Sequence, residues 1–187
     1  MALKTLVKVG SVTNLGDARY CAGMDVQMLG FQAIPGLPRH IPVARYQEIR
    51  GWVTGPKIVV ELYGIENEEQ LASLLETYRP DYVELGMSEL HRLEKLALPL
   101  VLRLHPNDAW TDDMDAKATV AYVMVDAGDH RHFPVPKLAI ISSEEEAREV
   151  ITQRDVGGIS MLGSDELSPG LNTYDTLAPV LELLEEE

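Results

Sequence analysis

Runs of β-branched and aliphatic residues recur along this chain, and between them the apolar positions fall three or four apart, the spacing of helices with one buried face. The β-type runs predict strands at residues 5–9, 26–31, 57–62, 82–85, 98–104, 121–125, 137–141 and 158–162. The helical spacings predict helices opening at Asn14, near Pro42, at Asn67, over 88–95, from Asn107 or Asp108 to about Ala118, at Ser143, and over about 173–184. Asn14 and Asn67 are side chains that accept from first-turn amides, Pro42 tolerates a helix start, and Ser143-Glu144-Glu145-Glu146 has capping-box spacing. The alternation fails once. Residues 126–136 carry Pro134 and Pro136 and leave only 11 residues, so this crossover is predicted to run without a helix.

Eight strands alternating with helices, without a composition break, predict one α/β domain over residues 1–187 with a parallel sheet. The nearest regular architecture is a compact (β/α)8 TIM barrel lacking the helix between strands six and seven, whose ligands would gather at the C-terminal strand ends. A doubly wound open sheet is the competing arrangement. At 187 residues the chain is shorter than the ~250 of a typical barrel, which agrees with trimmed connections.

Charge narrows the partners. The net charge is −14, and Lys and Arg form no run able to neutralise successive phosphates, so neither nucleic acid nor an anionic membrane is expected. No apolar run reaches the roughly 18 residues of a membrane helix, and no signal-peptide pattern opens the chain, so a cytoplasmic protein is expected. The single cysteine, Cys21, excludes an internal disulfide and falls at a buried helical spacing. No cofactor is expected, and oligomeric state is left open between monomer and homodimer.

Polar residues at strand ends are the candidate chemistry: Lys8, Glu61, Glu84, Arg103, His105, Asp126 and Ser160. Alternation turns part of this set into the barrel mouth, where it could bind a small polar ligand. Equally, Lys8 with Glu61 or Asp126, and Arg103 with Glu84, could form charge pairs that fill the barrel. His105, His130 and His132 with Asp126 or Asp129 have ligand chemistry for a metal, but their spacing matches no metal motif and no metal site is expected. Asp112, Asp113 and Asp115 read as helix-start carboxylates.

The segment Lys8-Val9-Gly10-Ser11-Val12-Thr13-Asn14-Leu15-Gly16-Asp17-Ala18 resembles the Lys-Ile-Cys-Gly-Ile-Thr-Asn-Leu-Glu-Asp-Ala opening of phosphoribosylanthranilate isomerases. Leu29-Gly30-Phe31, Pro35-x-x-Pro38-Arg39-x-Ile41 and Glu166-x-Ser168-Pro169-Gly170 are similar to further blocks of that family. The resemblance implies a TIM barrel of tryptophan biosynthesis that performs an Amadori rearrangement, in which an acid opens the aminoribose ring and a base removes the C2 proton. It assigns the acid to Asp126 and the contact to the anthranilate carboxylate to Arg39. The base position, Cys in the family, is Gly10, which cannot take a proton.

The family's Gly-rich phosphate segments follow strands six, seven and eight. The first corresponds to Gly128-Asp129-His130-Arg131-His132-Phe133-Pro134, the second to Ile140-Ile141, and only the third, Gly163-Ser164, keeps a glycine. Three readings follow. The chain is a degenerate isomerase-like barrel that binds a small polar ligand, through residues such as Arg39, Glu61, Arg103, Gly163 and Ser164, or a protein partner. It is an enzyme of altered specificity with Asp126 as acid and Lys8 as base. Or it is a working isomerase with a displaced base.

Overall fold

The computed structural model describes residues 2–111, 114–164, 166–168, 171–172 and 174–186. Eight parallel strands close into a barrel in sequence order: β1 (Leu6–Gly10), β2 (Met28–Gln32), β3 (Lys57–Glu61), β4 (Tyr82–Gly86), β5 (Leu100–Arg103), β6 (Val120–Asp126), β7 (Lys137–Ile140) and β8 (Val156–Leu162), with β8 returning to β1. The closure from Leu6↔Gly158 to Gly10↔Leu162 removes the sheet edges that an open doubly wound sheet would keep. Outward-facing strand residues such as Val7, Val9, Leu29, Phe31, Val60, Val83 and Leu102 pack with the helices into one core. A second, inner cluster of Met28, Val59, Val101, Met124 and Leu138 fills the barrel, with Tyr82 and Tyr122 packed against it. Alternation along each strand produces both clusters from the same runs.

Helices α1 (Leu15–Gly23), α2 (Val43–Trp52) and α3 (Glu68–Tyr78) begin where their caps predict. Asn14 accepts from the Asp17 amide at 2.8 Å and Asn67 from the Gln70 amide at 2.9 Å, while Pro42 takes the cap position of α2. The next two are shorter than their predicted spans: α4 (Met87–Arg92) and α5 (Met114–Lys117). Lys117 explains the stop of α4, since its ammonium donates to the carbonyls of Leu90, His91 and Leu93 at 3.4, 3.2 and 2.9 Å. α6 (Glu144–Val150) is capped by Ser143, and Glu146 reaches back one residue beyond the expected box, to the amide and hydroxyl of Ser142.

Residues 127–136 contain no helix, as the two prolines require, and Phe133 and Val135 of this connection lie against the core. A short antiparallel pair, β9 (Glu166–Ser168) with β10 (Leu171–Asn172), follows β8 and was not signalled by the sequence. The final helix, α7 (Leu177–Leu184), starts later than the predicted 173. Thr173, Pro169, Gly170, Asp112 and Asp113 lie outside the described residues. Strands two and five also start later than expected, at Met28 and Leu100.

The chain ends meet under the barrel. The Lys4 amide donates to the Leu184 carbonyl at 2.8 Å, and the Glu186 amide to the Ala2 carbonyl at 3.0 Å. Among the described residues no helix is long and apolar enough to cross a membrane.

Candidate functional site

Barrel closure places Glu61 beside Glu84 on neighbouring strands and Lys8 beside Ser160. All face inward at the C-terminal end. The Lys8 ammonium lies 3.1 Å from Glu61 Oε1 and 2.7 Å from Glu84 Oε2, and all three side chains are at most 3% exposed. Glu61 is held further by Ser11, whose amide donates to Oε1 at 2.9 Å and whose hydroxyl donates to Oε2 at 2.7 Å. Ser11 adopts a left-handed φ of 50° to do this, strain of the kind found where the surroundings over-determine a residue. The Tyr63 hydroxyl donates to Glu84 Oε1 at 2.6 Å.

Burial lowers the affinity of Lys8 for its proton, but the charges of Glu84 and Glu61 overcome this and its pKa is pushed up to about 12. The two carboxylates beside it thus favour the protonated form of Lys8. Burial raises the carboxyl of Glu84 above the usual range against the pull of Lys8. Burial, then the neighbouring Glu84 charge, raises the Tyr63 phenol well above its ordinary value.

Two glycines make room for this cluster. A Cβ on Gly10 would stand 2.7 Å from Lys8 Nζ and 2.8 Å from Glu61 Oε1, and one on Gly30 would overlap Glu61 Oε1. The space next to residue 10 is thus filled by the ends of Lys8 and Glu61. Above them lies a cavity of about 180 Å³, whose lining includes Tyr63, Glu84, Arg103, Met124, Ile140 and Leu162. Arg103 pairs with Asp126 at 2.7 Å, not with Glu84 as one sequence reading had it, and Asp126 is 55% exposed. The register explains the change of partner, since Arg103 lies beside Met124 on β6 and Asp126 is two residues further along the same face.

The rim after β6, β7 and β8 has a common construction. The Arg131 amide donates to Asp129 Oδ1 at 2.9 Å, the Ser142 amide to Glu146 Oε2 at 2.6 Å, and the Ser164 amide to Asp17 Oδ2 at 2.6 Å. The Ser164 hydroxyl also donates to Asp17, and the Gly163 amide donates to the Gly10 carbonyl at 2.8 Å. Asp17 is fully buried, and burial raises its carboxyl against the bonds from Ser164. Arg39, at a φ of 60°, donates to the carbonyls of Ser11, Gly163 and Ser164 at 3.3, 2.9 and 2.7 Å. It clamps the loops after β1 and β8 across the barrel seam. A cavity of about 350 Å³ beside these loops is lined by Arg39, Ser142, Gly163, Ser164 and Asp175, and shares Met161 and Leu162 with the mouth.

No known protein-family model matches the chain. It is 35% identical over 81 residues to the N-(5'-phosphoribosyl)anthranilate isomerase of Nitrobacter winogradskyi, a match that covers 43% of this chain and 35% of that protein. The aligned segment thus spans about a third of the length of that curated relative. Among solved structures, the phosphoribosylanthranilate isomerase of Thermus thermophilus superposes with a TM-score of 0.74 at 17% identity, covering 95% of this chain and 96% of that one. The enzyme of Pyrococcus furiosus gives 0.70 at 13% identity over 95% and 97%. The structural likeness shows that the chain has the (β/α)8 barrel fold of these isomerases.

Within this barrel, the residues singled out by sequence separate into groups. Lys8, Glu61, Glu84, Arg103 and Ser160 share the mouth with Gly10, whereas Arg39, Gly163 and Ser164 line the adjoining cavity. Asp126 borders a third hollow with His130 and Arg131, and His105 a fourth with Tyr63 and Asp108. Among the described residues no group of three or more His, Cys, Asp or Glu side chains is arranged to hold a metal ion. Sequence reasoning named Asp129 only as a possible metal ligand and Glu146 only as part of a helix cap, and it did not find the roles of Asp17, Ser11 and Tyr63. Only the small residues Gly10 and Gly30 could have signalled the close approach of a side chain from a neighbouring strand.

Proposed function

We propose that this phosphoribosylanthranilate isomerase-like barrel lacks efficient isomerase activity and has become a small-ligand binding protein, in effect a pseudoenzyme. The observation that carries the reading is the occupied rim. A phosphate would be gathered by free backbone amides, yet the amides of Arg131, Ser142 and Ser164 each already donate to a carboxylate of this chain. A phosphate there would have to displace, or sit beside, a fixed negative charge.

The proton-transfer side points the same way. Gly10 offers no base, and Lys8 is held protonated by its two carboxylate neighbours. Glu61 stands close to the Gly10 Cα, but both its oxygens accept hydrogen bonds within the cluster. Asp126 Oδ1 is tied to the Arg103 guanidinium at 2.7 Å, a contact that a role as acid would have to break. These arguments weigh against a displaced base and against an altered enzyme built on Asp126 and Lys8. Loss of a catalytic base alone costs about 10²- to 10⁴-fold in rate.

The test is turnover of phosphoribosylanthranilate by the purified protein, followed by fluorescence. No turnover above background is expected, and Gly10→Cys is expected to leave it at background, because the new Cβ disturbs the Lys8–Glu61 pair and the rim stays occupied. Robust turnover by the unmodified chain contradicts the reading.

A further inference from the structure

Ser160 stands on the inner face of β8, between Lys8 on β1 and Ile140 on β7, and is 4% exposed. It lines the cavity of about 180 Å³ at the barrel mouth. The other charged and hydroxyl side chains of that lining hold partners of their own: Lys8 with Glu61 and Glu84, Ser11 with Glu61, Tyr63 with Glu84, and Arg103 with Asp126. The Ser160 hydroxyl has no hydrogen-bond partner among the described residues. A buried hydroxyl in that state is the exception in folded proteins, and its capacity to donate and to accept is open to whatever fills the cavity.

The wall around it is apolar. Met124 and Met161 are buried, Ile140 is half-buried, and Leu162 is 61% exposed at the entrance. Thioether and aliphatic groups adapt to a compact carbon body, and an apolar cavity of ~150 Å³ is enough for a six-membered ring. The space here is slightly larger and falls short of the roughly 300–1,000 Å³ of drug-sized sites, so it suits one small ring or branched chain with few polar groups.

Charge on the occupant is disfavoured in both signs. A cation finds no open acceptor, because both oxygens of Glu61 accept hydrogen bonds, Glu84 Oε1 accepts from Tyr63, and Glu84 Oε2 is buried against Lys8 at 2.7 Å. An anion meets Arg103 only in competition with Asp126, and it would lie beside two carboxylates that share one ammonium. An ion that leaves water without a partner carries an unrecovered desolvation cost, whereas a neutral hydroxyl finds its match in Ser160.

We propose that the barrel mouth binds a small uncharged alcohol, its hydroxyl hydrogen-bonded to Ser160 Oγ and its carbon body packed against Met124, Ile140, Met161 and Leu162. This rests on the reading that the barrel is a small-ligand binding protein without isomerase turnover, and it names the chemical class that the mouth selects. Burial of the carbon body supplies most of the affinity, and the one open hydroxyl fixes the orientation. Selectivity against ions follows from the charges of the mouth being already paired with one another.

The experiment is a titration of the full chain, carrying carbon-13 in its Met, Ile and Leu methyl groups, with cyclohexanol, cyclohexylammonium and cyclohexanecarboxylate at neutral pH and fixed ionic strength. Saturable shifts of the Met124, Met161 and Ile140 methyl signals are expected with cyclohexanol, and binding about tenfold weaker or less with either ion. Ser160→Ala is expected to weaken cyclohexanol about fivefold, the worth of one neutral hydrogen bond. Leu162→Ala, a change at an exposed position that leaves the fold intact, is expected to weaken it about threefold through lost apolar contact and to keep the preference for the alcohol. No saturable shift with cyclohexanol, equal affinity for either ion, shifts confined to Ile141 and Leu177 of the neighbouring cavity, or an affinity unchanged in both variants overturns the proposal. Isomerase turnover in the separate assay would overturn the reading beneath it, whereas failure to bind cyclohexanol without turnover overturns this inference alone.

Discussion

At the scale of single residues, the mouth is decided by Lys8. Its contribution to stability is that of a base whose folded pKa, about 12, lies above the ordinary 10.5. It is therefore present in full below about pH 10.5 and lost as pH rises through about 12. The groups facing it are Glu61, Glu84 and, through Glu84, Tyr63. Tyrosines titrate in the same range, so the comparison that isolates Lys8 is with Lys8→Met. That variant leaves two buried carboxylates uncompensated and is expected to lose about 3–5 kcal/mol at neutral pH. Measured by urea unfolding, the gap between the two proteins should narrow by about 2 kcal/mol as pH passes about 12. A gap that stays constant with pH would remove Lys8 from the account. The pairing of Lys8 with Glu61 was legible in the sequence, because alternation turns both inward. That Glu84 joins them, and that Arg103 turns to Asp126, was not, because both depend on the register between strands, which barrel closure sets.

At the scale of elements, the connection from β6 to β7 shows how a barrel dispenses with a helix. Arg131 supplies the order that a helix would have given. It pairs with Asp129 through Nη2 at 2.6 Å and donates to the carbonyls of Asp108 and His105 at 2.5 and 3.0 Å, tying this connection to the loop after β5. The same guanidinium lies 5.4 Å from the centre of the Phe133 ring, which packs against Trp110 at 6.1 Å. Arg131→Ala is expected to cost about 1–3 kcal/mol and to raise amide hydrogen exchange in residues 126–136 and 105–111 together. Arg131→Lys should recover little, since an ammonium lacks the planar fork. Exchange rising in one loop alone would contradict the strap. The missing helix could be read from Pro134 and Pro136, and the starts of α1 and α3 from Asn14 and Asn67. The β9–β10 pair could not, because strands of three and two residues carry no periodicity. The stop of α4 could not either, because its cap, Lys117, lies a strand away in sequence.

At the scale of the molecule, the seam between β1 and β8 joins the first and last strands of the barrel. Arg39 bridges the loops on its upper side, and the chain ends pair beneath it through Lys4 with Leu184 and Glu186 with Ala2. Eight alternating runs made the closed barrel legible, and the block from Lys8 to Ala18 made the likeness to phosphoribosylanthranilate isomerases legible. What could not be read was which contacts the residues of that block make. Gly10 makes room for a buried ion cluster, and Asp17 turns its carboxylate onto Ser164 across the seam. The rim amides after β6, β7 and β8 hold Asp129, Glu146 and Asp17 respectively, which on the reading proposed above stand in place of a ligand's anion. The most direct measurement of this claim is a titration of the isotope-labelled protein with inorganic phosphate, following the backbone amide signals of Arg131, Ser142 and Ser164. Signals that stay in place up to high phosphate at constant ionic strength are the result expected here, and saturable shifts at these amides would contradict it.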